Sequence, residues 1–166
     1  ERAARLGERD QGRLGALNFP EIRMILNRQK RIPVQLPKLE RFLATVRKEL
    51  KLGRREVTVC FVDDREIARL NRRFRGKPKP TDVLSFPANE DGHGEFPVER
   101  NNYLGDIAIS PEVAKRNARR FGRTLEDELR VLILHGVLHL AGYDHETDQG
   151  EMDVLEKLLR RRMDIG

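Results

Sequence analysis

At 166 residues with one cysteine, the chain is long enough for a single domain with its own apolar core, and it excludes an internal disulfide framework. Hydrophobic residues make up 38% and charged residues 36% of it, with a net charge of +6 and a pI near 9.8, a balance that favours phosphate-rich partners without selecting one. No run approaches the roughly 20 apolar residues of a membrane span, and the N-terminus lacks the apolar middle of a secretion signal, so a cytoplasmic protein is expected.

Residues 1–18 are rich in Arg, Gly, Ala and Glu without an apolar period and are expected to form a flexible extension, with one domain filling 19–166. Ile22, Met24 and Leu26 alternate with other positions, the pattern of a half-buried strand facing inward through those three, with Ile25 breaking it. Pro37 opens a helix in which Leu39, Phe42, Leu43, Val46 and Leu50 recur at helical spacing up to a stop at Gly53. Residues 56–62 are a β-rich run that takes Cys60 as a small core hydrophobe, with no neighbour able to activate it. Asp63 or Asp64 then caps a helix whose Ile67, Leu70 and Phe74 form one inward stripe, ending near Gly76.

Lys77-Pro78-Lys79-Pro80 cannot be helical and leads into a short strand, Val83-Leu84-Ser85-Phe86, with Thr81 and Asp82 as turn and strand-entry residues. Residues 89–102 are polar and hold Gly92, Gly94 and Pro97, which predicts a loop with His93 solvated. Tyr103 to Ile109 is a strand, and Ser110-Pro111-Glu112 supplies the N-cap, first-turn proline and early acid of a helix running to Phe121 and Gly122. Thr124 to Asp127 resembles a capping box and starts an apolar helix ending at Gly142. A last helix, from about Thr147 to Arg162, turns Met152, Leu155, Leu158 and Leu159 inward and ends on Arg160-Arg161-Arg162, as the helix dipole favours. The sum is about four strands and about five helices.

His135 and His139 lie four residues apart, which on a helix puts both imidazoles on one face and within reach of one ion. Gly142 ends that helix and lets His145 come round as a third ligand, so the segment H-G-V-L-H-L-A-G-Y-D-H can hold a metal by three neutral imidazoles. Three protein ligands leave one tetrahedral corner for water or substrate, the arrangement of a catalytic site. The competing account makes His135 and His139 hydrogen-bonded core residues and His145 a loop residue, but three of four histidines within one short segment argue against it. Zinc is the expected ion, with nickel or another divalent metal also accepting imidazole.

The pattern departs from the zincin-like protease signature H-E-x-x-H at its second position, which here is Gly136, so the usual general base is missing and peptide hydrolysis loses ground; Asp144 or Asp106 could in principle transfer the proton, and the base stays unassigned. Asp144 either supports a metal-binding histidine by a hydrogen bond or shapes the turn. Asp106 either orients a histidine or substrate, or caps a strand end.

Two segments, F-R-G-K-P-K-P-T-D-V-L-S-F-P at 74–87 and the histidine motif at 135–145, together with L-G-D-I-A-I-S at 104–110, resemble the YbeY endoribonucleases, bacterial factors of ribosomal RNA maturation. The resemblance covers about residues 21–160. It implies an α+β fold with a small mixed sheet packed against helices, a zincin-like histidine helix, and a metal on His135, His139 and His145. It also implies metal-dependent cleavage of single-stranded RNA, in ribosomal RNA processing and ribosome quality control.

It singles out Arg75, which the residues alone leave as a solvated arginine at a helix end, as the group that binds phosphate and counters charge when activated water attacks the phosphodiester. Lys77 and Lys79 would extend a basic track along the RNA backbone. Two alternatives keep parts of this picture: a metallopeptidase or amidase with the same histidines, and a non-catalytic assembly factor that binds ribosomal RNA or small-subunit ribosomal proteins.

Overall fold

The computed structural model describes residues 24–88 and 102–166; the expected extension at 1–18, Ile22, His93 and nearly all of the polar loop lie outside these. Four strands form one mixed sheet: β1 (Ile25–Asn27), β2 (Glu56–Phe61), β3 (Val83–Pro87) and β4 (Tyr103–Ile109), in the order β1-β2-β4-β3. β2 runs parallel to β1 and β4, while β3 pairs antiparallel with β4. Five helices accompany them: α1 (Leu36–Glu49), α2 (Asp64–Arg75), α3 (Pro111–Phe121), α4 (Leu125–Leu140) and α5 (Glu151–Arg162). The class is α+β, as the sequence predicts.

The helix starts follow the capping chemistry. The Asp63 carboxylate accepts from the Glu66 N–H, the Ser110 hydroxyl from Val113, and the Thr124 hydroxyl from Asp127. Gly76 and Gly122 close α2 and α3 in the left-handed conformation. α1 stops at Glu49 rather than near Gly53, because Leu50 caps it and Lys51 already turns the chain at φ 53°.

Alternation along the strands divides the sheet into two faces. Ile25, Val57, Val59, Phe61, Ile107 and Ile109 join side chains of α1, α4 and α5 in the main core. The opposite face carries only a small cluster, Val62, Ile67, Leu84 and Ala108, where α2 covers it. α4 is apolar on nearly every side because it lies between the sheet and the other helices, and its buried Glu128 is paired with Arg123 at 2.8 Å. No helix among the described residues is long and apolar enough to cross a membrane.

Three inward assignments from the sequence are corrected. In β1 it is Ile25 that is buried and Leu26 that is exposed, since Ile25 pairs opposite Val59 on the core face; the alternation was read one residue out of register. Phe74 is 56% exposed: α2 buries Ile67 and Asn71, and its last turn leaves Phe74 touching Phe86 with ring centroids 4.9 Å apart. Leu158 is also exposed, because α5 buries only Met152 and Leu159, a narrow stripe, and begins at Glu151 rather than Thr147.

Candidate active site

His135 and His139 project from one face of α4, and the chain turns back at Gly142, whose φ of 102° suits glycine, after Tyr143 N–H bonds the Leu138 carbonyl. Two aspartates then shape the segment that carries His145. Asp144 accepts from the Glu146 N–H at 3.0 Å and the Thr147 hydroxyl at 3.1 Å, while Asp148 accepts from the Gly150 and Met152 N–H groups at 2.8 Å each and so fastens the segment to α5. The Asp144 carboxyl is held below the usual carboxylate range, first by that backbone hydrogen bond. Of the two roles open to Asp144, the turn is the one made; it bonds no histidine.

The three imidazoles converge. One ring nitrogen from each lies within 4.8 Å of the others, and ring centroids are 4.8 to 5.5 Å apart. Nitrogens bonded to one tetrahedral zinc stand about 3.3 Å apart, given bonds of about 2.0 Å, so small side-chain rotations bring all three onto a single ion. Burial, and then the charges of His135 and His145, push His139 below its ordinary pKa and favour the neutral imidazole that ligation requires. The arrangement can therefore hold a metal ion.

One supporting group escaped the sequence reading. Glu156 Oε2 lies 2.9 Å from His135 Nδ1, with both side chains largely shielded. When Nδ1 carries the proton and donates it to this carboxylate, Nε2 presents its lone pair to the cluster. The signal in sequence was slight: an acid four residues after Met152 and three before Leu159, on the inward side of α5.

The sequence left Asp106 open to orienting a histidine, and it does not do so. Its neighbour Ile107 faces α4, packing against Gly136, so Asp106 points to the opposite, open side of the sheet. There it accepts a hydrogen bond from the Tyr103 hydroxyl, which also lies 3.1 Å from the Thr58 hydroxyl. Burial, reinforced by the Asp106 carboxylate, pushes the Tyr103 hydroxyl from 10.0 up to about 12. A raised folded-state pKa stabilises the fold below pH 10 and loses that contribution as the pH climbs to about 12. Ultraviolet titration should show Tyr103 phenolate forming only near pH 12, and a Tyr103 transition near pH 10 would refute this contact.

A cleft of about 1240 Å³ runs from the open face of the sheet round to the histidines. It gathers His135, His139, His145, Arg75, Lys77 and Asp106 along one wall or another; Lys79 is not part of the lining, and its carbonyl instead accepts from the Asn71 amide at 2.9 Å. The cleft is not uniformly basic. Arg28, Arg69, Arg75 and Lys77 face five carboxylates, and Arg69 is engaged by both oxygens of Glu66. Of the others, Arg75 and Lys77 lie at the end of α2.

The family model described as Endoribonuclease YbeY matches residues 24–164. Proteins named Endoribonuclease YbeY are similar along most of the chain. The one from Koribacter versatilis is 46% identical over 142 residues, 86% of each chain. The one from Solibacter usitatus is 41% identical over 149 residues, 90% of this chain and 93% of that one. The solution structure of a Thermotoga maritima protein, 38% identical, covers 81% of this chain and 83% of its own with a TM-score of 0.52. The matched span takes in α2, β4 and the histidine segment, and the chain belongs to the Endoribonuclease YbeY family, a family of nucleases.

Proposed function

We propose that this protein is a metal-dependent endoribonuclease that cuts single-stranded RNA, in ribosomal RNA processing and ribosome quality control, with His135, His139 and His145 holding one divalent ion, zinc before nickel. The observation that carries this reading is the convergence of three imidazoles in one cleft with Arg75. A bound ion supplies Lewis acidity toward a phosphate oxygen or a water.

The chain's own residues supply the rest. Arg75 ends α2 beside Gly76, is exposed, and forms no ion pair among the described residues, so its guanidinium is available to bind phosphate oxygens bidentately and to counter charge as it builds. Lys77 adds a point charge on the same side of the cleft. Glu156 fixes the orientation of the His135 ring. The matched relatives carry the word endoribonuclease in their names, which favours RNA over the other phosphodiesters that such a site would accept.

The peptidase alternative loses its base for a structural reason. A Cβ at Gly136 would lie 2.8 Å from the Ile107 side chain, so the position that holds glutamate in H-E-x-x-H is filled by the sheet. A scaffolding role with ribosomal RNA or small-subunit proteins is compatible with the same surface and adds to the nuclease rather than replacing it.

The test is cleavage of single-stranded and duplex RNA of one sequence. Single strands should be cut preferentially, and Arg75→Ala should lower the rate by about 100-fold to 1000-fold, the usual loss for one donor to developing charge. His135→Ala should abolish cleavage. Activity that survives both substitutions belongs to a contaminant, and the proposal then fails.

A further inference from the structure

Phe74 is a large aromatic that helical periodicity assigns to the core, yet it stands 56% exposed on the wall of the cleft that holds the histidines. Phe86, on β3, meets it with ring planes at 66°, so the two rings are not stacked on each other. Residues 70–81 surround Phe74 in sequence with five cations and no carboxylate, none of the five ion-paired among the described residues, and the Arg73 guanidinium lies over its ring, 5.2 Å from the centroid.

We propose that Phe74, steadied by Phe86, is a stacking shelf for an unpaired nucleobase of the strand held in the cleft; this rests on the RNA reading above and adds how that strand is gripped. The chemistry selects the occupant. A purely apolar partner would leave the cations around Phe74 unpaired, and a simple anion would leave the ring unused. A nucleotide has a flat π-face for the one and a phosphate for the other. Because Arg75 lines the same cleft, a base on Phe74 brings its phosphodiester toward the guanidinium assigned to phosphate. Bases in a duplex are already stacked on both faces, so a shelf of this kind admits single strands and turns duplexes away. Sequence preference should be weak, since every base offers a π-face.

The chain contains no tryptophan, which makes the test direct. Phe74→Trp places the sole tryptophan on the shelf, and titration with oligoadenylate should quench it saturably, on excitation at the red edge where tyrosine does not absorb, while a duplex of the same length does not. Phe121→Trp, at an equally exposed phenylalanine that ends α3 outside the cleft lining, serves as the control and should be unaffected. Phe74→Ala should weaken oligoadenylate binding by about 5-fold to 100-fold with metal content unchanged, and Phe74→Tyr should restore it. Wild-type protein that binds and cleaves RNA, together with an unquenched Trp at 74 and undiminished affinity in Phe74→Ala, overturns the shelf while leaving the nuclease standing. Wild-type protein that neither binds nor cleaves RNA overturns both.

Discussion

A His139→Ala protein should lose its bound metal and cut single-stranded RNA at least about a thousandfold more slowly, since a catalytic ion contributes several kcal/mol and each 1.36 kcal/mol is tenfold in rate. Removing His139 leaves two imidazoles, one on α4 and one on the segment after it, too few to fix an ion in a defined geometry. Glu156→Gln grades the effect. It keeps the three rings but withdraws the carboxylate that orients His135, and affinity should fall by about 10-fold to 100-fold, with activity recovering as metal is raised. Competition with a chromophoric chelator reads affinity, and RNA cleavage across a metal series reads function. Full metal content and full activity in His139→Ala would remove the histidine site from the mechanism.

Gly136→Glu, which rebuilds the protease motif in sequence, should yield no peptidase and should cost several kcal/mol of stability. Gly136 lies where α4 crosses β4, and even the first added carbon would stand 2.8 Å from two atoms of Ile107. Overpacking at such a contact costs about 1 to 3 kcal/mol, and a carboxylate driven in beside Ile107 adds the penalty of an unpaired buried charge. Gly136→Ala isolates the steric part: helix propensity returns up to about 1 kcal/mol, and the overlap outweighs it. Trimming the partner should help, so Gly136→Ala with Ile107→Val should recover part of the loss in a denaturant titration. A Gly136→Ala protein as stable as the parent would show that the helix-to-sheet contact is looser than drawn here.

What the sequence disclosed depended on how local the feature is. The histidines were legible because two share a helical face and the third follows a glycine stop, geometry contained within eleven residues. Glu156 was not, since its pairing with His135 exists only once α5 lies beside α4, and nothing in either helix alone specifies that placement. Phe74 shows the converse failure. The period of α2 points it inward, but beyond Phe86 it is left 56% exposed, and periodicity knows the face of a helix rather than the extent of what it packs on. Leu26 and Ile25 were exchanged because a three-residue strand contains too little alternation to fix its register. For Asp106, β4's alternation turns the side chain away from α4 and its histidines; for Asp144, the hydrogen bonds present are those of the turn.

The His145 segment has a consequence for the life of the protein outside catalysis. Its hydrogen bonds run through Asp144 and Asp148, and the main core is assembled without any of the three histidines. Metal uptake and the assembly of the fold are therefore separable, unlike in zinc fingers, where ligation is the folding energy. If the three histidines hold an ion, the chain is expected to fold first and acquire it afterwards, so metal scarcity would idle the molecule without unfolding it. Such an ion would then raise the melting temperature only by the mass-action term that any ligand of the native state contributes.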